Sequence, residues 1–314
     1  MALLSNTTKV LSQQHGERWS AYHADCVEGV AGLPENSIDY SVYSPPFSSL
    51  YIYSESCRDM GNVDGDDAFQ ESYRHLVREK LRATKPGRLT SIHVKDLVYY
   101  SNASEKGDRG LRDFTGECIR THVEEGWTYH SRVTIWRCPV REMQKAKPDG
   151  LLFKNFRTDA GRVRQGLCEY LITFRKWAPG MDEAEPIVHD PREFPLEMWQ
   201  SLASPVWNYG DDSLPETDVL NVRQARDDKA EKHLCPMPLN ITERAVRLWS
   251  NRGDTVLSPF MGIGSEGVVA LRTDRRFIGF ELNGTYFADA AANLNAAETE
   301  SAHGSLLSLM EGAA

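Results

Sequence analysis

Residues 255–267 read TVLSPFMGIGSEG, a short apolar strand followed by a glycine turn and the start of a helix. A second strand ends in Glu281, 19 residues after Gly262. This is the arrangement of a nucleotide-binding βαβ unit, in which glycines let the backbone approach a ligand and the carboxylate accepts hydrogen bonds from ribose hydroxyls. A glycine turn that only packs a helix on a strand is the alternative, and the position of Glu281 disfavours it.

The turn lies close to the C-terminus, and this decides the order of the sheet. Only 33 residues follow Glu281, too few for the strands that complete a doubly wound sheet. The other parallel strands must come from the N-terminal part of the chain, so we expect an α/β sheet that is circularly permuted. A nicotinamide-dependent oxidoreductase, an enzyme of another class, would need a strand-rich continuation after Glu281.

Three regions of the chain differ in composition and periodicity. Residues 17–137 alternate short apolar runs with helical stretches, and the same pattern returns in residues 231–300. These two ranges are expected to form one catalytic domain, with helices on both faces of a parallel sheet. Residues 138–230 are rich in proline, glycine and charge, with one clear strand at 169–175, and they are interpreted as an inserted smaller module.

The composition is typical of an ordinary globular protein. The 314 residues are 40% hydrophobic and 26% charged, with a net charge of −9, which excludes collagen-like and disordered classes. No apolar run approaches the roughly 18 residues that span a bilayer, so no membrane association is expected. The six cysteines are never closer than 20 positions and are interpreted as reduced thiols of a cytoplasmic protein. No metal site is expected, because ligand spacing is missing among the histidines, which are interpreted as structural or surface residues: His75, His93, His122 and His130.

The sequence Ser44-Pro45-Pro46-Phe47 directly follows a strand predicted at 38–43. The two prolines exclude helix and strand pairing, so they hold the carbonyl groups rigidly at the carboxyl edge of the sheet, where α/β proteins bind ligands. The Ser44 hydroxyl and the Pro45 carbonyl can accept the two hydrogens of an exocyclic amine on a nucleobase. Both acceptors would stabilise the positive charge that develops as this nitrogen attacks, and Phe47 would stack on the base. A plain strand-terminating turn is the alternative.

Further motifs occur in a fixed order along the chain: Asp25, Leu33-Pro34, Ser37-Ile38-Asp39, Ser44-Pro45-Pro46-Phe47, Lys85-Pro86-Gly87, Gly126-Trp127, Trp136, Glu169-Tyr170, His233 to Pro238, Ser258-Pro259-Phe260-x-Gly262-x-Gly264 and Ile278-Gly279-Phe280-Glu281. In this order they resemble the permuted, class β amino-methyltransferases of DNA, in which the catalytic motif comes first and the cofactor loop last. The resemblance implies a Rossmann-like methyltransferase sheet with a target-recognition insert. It also implies S-adenosylmethionine as cofactor and methylation of N4 of cytosine or N6 of adenine.

The resemblance assigns roles to individual residues. The flipped base would be handled by the motif Ser44, Pro45, Pro46 and Phe47. The cofactor would be bound by six residues: Asp25, Ser258, Phe260, Gly262, Gly264 and Glu281. One position departs from the family, because Ser258 stands where the glycine turn usually begins with aspartate. Loss of that carboxylate predicts weaker binding of the cationic cofactor, and it leaves open a catalytically silent relative that only binds DNA.

The residue before the two prolines bears on the choice of base. In this family serine usually accompanies N4-cytosine specificity, whereas aspartate or asparagine accompanies N6-adenine specificity. A serine hydroxyl can accept a hydrogen bond from either amine, so the physical difference is small. The resemblance predicts N4 of cytosine in double-stranded DNA, with N6 of adenine as the second choice. Either base must leave the duplex to reach the turn.

Charge is unevenly distributed over the middle of the chain. Residues 137–176 contain ten basic and four acidic residues, whereas residues 177–220 contain one basic and ten acidic residues. Arg157, Arg162 and Arg164 are candidates for contacts to phosphates or guanine edges, and a solvated charged surface is the alternative. The sequence leaves open the position of the acidic range, a homodimer, and a cognate restriction endonuclease.

Overall fold

The computed structural model describes residues 4–5, 8–46, 66–102, 104, 106–145, 153–208, 218–220 and 236–311. For some of these, including Arg162, only the backbone is described. Phe47 and residues 233–235 of the predicted His233 to Pro238 motif lie outside the described residues.

The described strands are β1 Ser12–His15, β2 Trp19–His23, β3 Ile38–Tyr43, β4 Thr84–Val94, β5 Leu97–Tyr99, β6 Gly110–Arg112, β7 Thr128–Ile135, β8 Glu169–Arg175, β9 Val206–Trp207, β10 Thr255–Ser258 and β11 Arg276–Glu281. The described helices are α1 Cys26–Ala31, α2 Asp66–Ala83, α3 Phe114–Glu124, α4 Pro139–Lys145, α5 Phe153–Thr158, α6 Leu196–Leu202, α7 Leu239–Trp249, α8 Ser265–Arg272 and α9 Gly284–Glu311. In the described part of the chain, no helix combines the length and hydropathy needed to cross a membrane.

The described strands form a central sheet in the order β1-β2-β11-β10-β3-β4-β8-β7-β9, with β5 and β6 paired separately. Five adjacent strands, β2, β11, β10, β3 and β4, are parallel, whereas β1 and β8 run antiparallel to their neighbours. The two strands nearest the C-terminus, β10 and β11, lie in the centre of the sheet between β2 and β3. The predicted circular permutation is therefore confirmed.

Helices cover both faces of the sheet, as predicted for an α/β fold. Neighbouring residues of β10 point to opposite faces: Val256 packs in one hydrophobic cluster and Leu257 in the other. The first cluster includes residues of α7, α8 and α9, and the second includes residues of α1, α2 and α3. Because both faces are covered, all residues of β3 and β10 are buried, and neither strand shows an alternation of buried and exposed residues.

A network of ionised side chains fixes β10 beside β3 at the amino ends of the strands. The buried Asp39 of β3 accepts hydrogen bonds from Lys85 Nζ at 2.6 Å and from the backbone N–H of Thr255 at 2.9 Å. Arg88 of β4 donates to Asp254 at 2.9 Å. These contacts hold three strands in register at one edge, and the same register brings their carboxyl ends together at the other edge.

The motif Lys85-Pro86-Gly87, whose proline and glycine are typical of a turn, is part of β4, which begins at Thr84. The pairing of β4 with β3 shifts register at this point. Gly87 has a positive φ of 79°, and its N–H donates to the carbonyl of Lys176 at 2.9 Å. The strand therefore continues through an irregularity, which the proline and glycine pattern alone does not distinguish from a turn.

The middle of the chain contributes to the central sheet, because β8 lies between β4 and β7. Its acidic continuation crosses the amino edge of the sheet, where the Ala184 N–H donates to the carbonyl of Pro86 and the Val188 N–H donates to the side chain of Asn251. Residues 184–188 therefore lie at the edge opposite the carboxyl ends of β3 and β10. The expected domain boundaries and the role of residues 138–230 in DNA recognition stay predictions.

Candidate active site

Ser44 and Pro45 lie at the carboxyl end of β3, directly beside β10. Pro45 is buried, and Ser44 and Pro46 are partly exposed. The ring of Tyr43, the last residue of β3, lies 5.7 Å from the ring of Phe260 in the glycine turn. The two motifs predicted to form the site are therefore in contact, although they come from opposite ends of the chain.

The glycine turn is fastened to the end of β11. The carboxylate of Glu281 accepts hydrogen bonds from the backbone N–H of Gly262 at 3.0 Å and of Asn283 at 2.7 Å. Gly264 has a left-handed backbone with a φ of 89°, and a Cβ atom there would lie 3.3 Å from the backbone of Ala290. Only glycine satisfies both constraints comfortably. The contact between Glu281 and the turn gives this carboxylate a structural role that the sequence did not predict, and its ligand role toward the ribose stays a prediction.

Two buried hydroxyls of this turn, Ser258 Oγ and Ser265 Oγ, have no hydrogen-bond partner in the described structure. Buried polar atoms are nearly always paired, so unpaired ones next to a turn of this kind indicate a ligand. A Cβ atom on Gly262 would meet nothing within 4 Å, which shows that the turn borders open space. These observations fit the polar methionine end of S-adenosylmethionine.

Glu266, in the first turn of α8, is a buried carboxyl that the sequence motifs do not single out. Burial raises the pKa of Glu266 to about 8, and the negative charge of Glu281 adds to this effect. A nearby cation would favour the ionised form and lower this pKa again. Glu266 therefore supplies a carboxyl group in the helix turn that follows the glycine turn, whereas the family usually has a carboxylate at the position of Ser258.

Asp25 caps helix α1. Its Oδ1 atom accepts hydrogen bonds from the backbone N–H groups of Val27 at 2.9 Å and Glu28 at 3.1 Å. The next strand end is close, because the Ala24 N–H donates to the carbonyl of Glu281 at 3.1 Å. The structure thus puts Asp25 at the same edge as the glycine turn and gives it a capping role, while its role toward the adenosine end of the cofactor stays a prediction.

A chain of polar contacts leads away from Ser44. Its Oγ lies 3.2 Å from His93 Nδ1, and His93 Nε2 lies 2.9 Å from Glu169 Oε2. Arg137 Nη2 donates to the same carboxylate oxygen at 2.5 Å. All three partners of this chain are largely buried, with side-chain exposures of 11% for His93, 15% for Glu169 and 8% for Arg137.

The sequence predicts an ordinary histidine at His93 and gives Glu169 and Arg137 no role in the site. A partial signal is present, because His93 is a polar residue near the carboxyl end of a predicted central strand. The antiparallel direction of β8, which pairs Leu171 with His93 and brings Glu169 to the carboxyl end of β4, is not visible in the sequence.

Ionisation of Glu169 is strongly favoured. Burial alone would raise the pKa of Glu169, but the hydrogen bond from His93 and the charge and hydrogen bond of Arg137 outweigh it and hold this pKa well below its usual range. Because an ionised carboxylate only accepts hydrogen bonds, it fixes the proton of a neutral His93 on Nε2 and leaves Nδ1 as an acceptor for the Ser44 hydroxyl.

The predicted DNA contacts lie on and after α5. Arg157 is exposed in the last turn of α5, and Arg164 Nη1 lies 3.5 Å from the carbonyl of Gly110. A groove of about 470 Å³ is lined by parts of residues 107–111 and 161–164. For Arg162 the backbone alone is described, in a short 3₁₀ turn. Contact of these arginines with DNA stays a prediction.

Comparison with known proteins identifies the family. The family model for DNA methylases, N6_N4_Mtase, matches residues 38–292. The DNA adenine methyltransferase YhdJ of Escherichia coli (strain K12) is 37% identical over 301 residues, covering 89% of this chain and 84% of YhdJ. Type II methyltransferase M.MthZI of Methanothermobacter thermautotrophicus is 26% identical over 271 residues, covering 80% of this chain and 69% of M.MthZI.

Solved structures show the same fold. A putative DNA modification methylase of Thermus thermophilus, TTHA0409, complexed with S-adenosyl-L-methionine, superposes with a TM-score of 0.63 at 22% identity, covering 90% of this chain and 94% of that one. The cytosine-N4-specific PvuII DNA methyltransferase superposes with a TM-score of 0.60 at 18% identity, covering 91% of this chain and 90% of that one. Taken with the family match, these likenesses confirm the predicted resemblance: the chain belongs to the N6_N4_Mtase family of DNA methylases and is a DNA amino-methyltransferase that uses S-adenosylmethionine.

Proposed function

We propose that this enzyme methylates N4 of cytosine in double-stranded DNA, at a base turned out of the helix. The observation that carries the proposal is a serine hydroxyl, Ser44, at the carboxyl end of β3 and next to the glycine turn. In this position a neutral hydroxyl stands where adenine-specific members of the family usually carry aspartate or asparagine. The amine of the base donates hydrogen bonds to the turn, so binding of the base requires no ionised carboxylate at position 44.

Two oxygens would receive the amine. The Ser44 hydroxyl oxygen and the Pro45 carbonyl accept one N–H each, and the rigid proline pair holds them in place before the base arrives. The nitrogen lone pair of a cytosine amine is delocalised into the ring. Acceptors that stabilise positive charge on this nitrogen therefore lower the barrier more than they strengthen ground-state binding. Phe47 would stack on the extruded base.

The cofactor supplies an electrophilic methyl group on its sulfonium sulfur. In our proposal, Phe260, Gly262 and Gly264 border its methionine part, and Ser258 offers the hydroxyl that lacks a partner in the described structure. Glu281 orders the turn through Gly262 and binds ribose hydroxyls. Asp25 lies toward the adenosine end.

DNA would be held by the basic side of residues 138–230. Arg157, Arg162 and Arg164 are proposed to contact phosphates, which offsets the few kcal/mol that extrusion of a base costs. Residues 184–188, which belong to the acidic range 177–220, cross the opposite edge of the sheet, so Glu185 in this part does not oppose DNA at the carboxyl edge.

Methylation of N6 of adenine is the second candidate. The observation that favours it is the 37% identity to YhdJ, a DNA adenine methyltransferase, over most of both chains. Adenine presents the same N–C=N edge as cytosine, and the Ser44 hydroxyl can accept from its amine as well.

Nucleoside mass spectrometry of DNA from a host that expresses the enzyme separates the two candidates. N4-methylcytosine is expected in DNA from cells with the wild-type enzyme and is absent with Ser44→Ala. The matched control is Ser301→Ala, a serine of α9 whose hydroxyl contacts the carbonyl of Leu271, away from the site. N6-methyladenine without N4-methylcytosine would reject cytosine as the target, and full methylation by Ser44→Ala would reject the proposed role of the turn.

A further inference from the structure

The geometry points to His93 as the group that receives a proton from the target amine through Ser44, with Glu169 and Arg137 holding it ready. This inference rests on the proposed role of Ser44. In it His93, Glu169 and Arg137 are positioning residues, because they act on the base only through the Ser44 hydroxyl.

The first step of the argument concerns the direction of the hydrogen bonds. Glu169 is ionised, so the hydrogen between it and His93 belongs to His93 Nε2 (2.9 Å). Nδ1 of the neutral imidazole is then an acceptor, and the Ser44 hydroxyl donates to it across 3.2 Å. A hydroxyl that donates its hydrogen to His93 keeps its lone pairs available to accept a hydrogen bond from an amine.

The second step concerns the proton. The amine nitrogen forms a bond to the methyl group as the bond from that carbon to sulfur breaks, and the methylated base becomes a cation. One N–H bond of this cation breaks as its proton passes to Ser44 Oγ, while the Ser44 O–H bond breaks and its proton joins His93 Nδ1. The base leaves as a neutral base methylated on its amino nitrogen, the Ser44 hydroxyl is regenerated, and the positive charge resides on the imidazolium of His93 beside Glu169.

The third step concerns the charges that face His93. From β8 it faces Glu169, and behind that carboxylate lies Arg137, which follows β7. From the end of β3 it faces the neutral Ser44. Lys95, which directly follows β4, pairs with Glu142 of α4 at 3.7 Å. The negative charge of Glu169, which is in direct contact with His93, therefore stabilises the imidazolium that forms, while Arg137 keeps the carboxyl group of Glu169 ionised.

Protonation of His93 before the reaction should block it. An imidazolium donates from both nitrogens, so Ser44 Oγ must accept from Nδ1 and loses an acceptor position for the amine. The rate of methyl transfer is thus expected to fall on the acid side of its pH profile.

Single-turnover methylation with enzyme in excess over duplex DNA measures the chemical step apart from product release. His93→Asn is the main variant, because its side-chain oxygen can accept from Ser44 but cannot take a proton. We expect it to lower the rate by about 100-fold or more and to remove the acid limb of the pH profile. Glu169→Gln keeps a hydrogen-bonding partner without the charge, and we expect it to move the acid limb to lower pH, because the negative charge beside the imidazole is lost. His75→Asn is the matched control, because His75 also pairs with a glutamate, Glu71 at 3.3 Å, on the exposed side of α2.

Binding of DNA and of S-adenosylmethionine is measured for each variant by titration, together with its thermal unfolding. Unchanged binding with a slower, pH-independent rate in His93→Asn supports the inference. A wild-type pH profile in His93→Asn overturns it, and so does a slower rate that keeps the wild-type acid limb, since His93 would then act only as a structural support. If His93→Asn does not fold, an unmoved acid limb in Glu169→Gln overturns the inference. Failure of the proposed function is distinguishable, because a wrong target base would appear as N6-methyladenine without N4-methylcytosine, and a wrong role of Ser44 would appear as full activity in Ser44→Ala.

Discussion

Replacement of Glu266 by glutamine tests whether the cofactor turn contains a protonated carboxyl. Glu266 is 3% exposed in the first turn of α8. Burial raises its pKa to about 8 from an ordinary value of 4.5, and Glu281 contributes in the same direction. Glutamine has nearly the same shape as the protonated carboxyl but does not titrate, so it removes the linkage to pH and keeps the packing.

The sign of the effect follows from the raised pKa. A carboxyl with a higher pKa in the folded state favours folding fully below pH 4.5 and loses this contribution as the pH rises through 8. With about 1.4 kcal/mol for each pKa unit, the interval from 4.5 to 8 corresponds to about 5 kcal/mol as an upper limit. Relative to the wild type, Glu266→Gln should therefore gain free energy of unfolding as the pH rises across this interval.

Urea unfolding at a series of pH values between these limits measures the difference. Glu243→Gln is the matched control, because it makes the same substitution at a half-exposed glutamate of α7 that pairs with Arg247 at 2.7 Å. A constant difference between Glu266→Gln and the wild type would refute the raised pKa.

The same variant tests a link between Glu266 and the cofactor. The cationic sulfonium or ammonium group near this carboxyl would favour its ionised form, so binding of S-adenosylmethionine at neutral pH should release a proton. Calorimetric titration in buffers of different ionisation enthalpy counts the protons. We expect release from the wild type and none from Glu266→Gln; equal proton counts would show that Glu266 does not sense the cofactor.

Three further outcomes are expected. Gly264→Ala should lose about 1–2 kcal/mol of stability, because its backbone is left-handed, and it should also bind S-adenosylmethionine more weakly. Gly253→Ala is the control, because Gly253 has a similar φ of 80° and a Cβ atom there would meet no atom within 4 Å, so it should lose stability alone. Thermal unfolding with and without cofactor compares the two variants. Burial lowers the pKa of Lys80 well below its ordinary value. The free energy of unfolding of the wild type should therefore rise relative to that of Lys80→Met, by up to about 1.4 kcal/mol per pH unit as the pH increases toward about 10. Parallel curves of unfolding free energy against pH for the two proteins would contradict this. Arg157→Gln should reduce the slope of log affinity for DNA against log salt by about 1, while Arg272→Gln, in the last turn of α8 near the amino edge of the sheet, should leave it unchanged in filter-binding titrations.

The central part of the fold was predictable because strong local signals fixed it. The glycine turn before α8 and the short chain after Glu281 required strands from the N-terminal region. Parallel strands place their carboxyl ends at one edge, so Ser44 and Gly262 were expected to meet there. The observed contact between Tyr43 and Phe260 is a consequence of this rule.

The part of the site that was not predicted depends on strand direction. The strand at 169–175 was identified from its residues, but its antiparallel place between β4 and β7 is a long-range property that local periodicity does not encode. His93 and Glu169 are 76 residues apart, and neither has a spacing typical of catalytic motifs. Asp25 was expected only to bind the cofactor, and its role as the N-cap of α1, which needs no cofactor, was not predicted.

The permuted order has a physical consequence for how the site forms. β10 and β11 fill the centre of the sheet between β2 and β3, so the N-terminal strands alone would leave two inner edges unpaired and one of the two hydrophobic clusters without most of its helical residues. The Ser44 turn therefore reaches its place beside a cofactor turn only when the last strands have inserted. What the chemistry requires is adjacency of β3 with β10 and of β4 with β8, and any chain order that preserves these two pairings can build the same site. Adjacency of strands, rather than order along the chain, is accordingly the property on which both the acceptor turn and the proposed proton path depend.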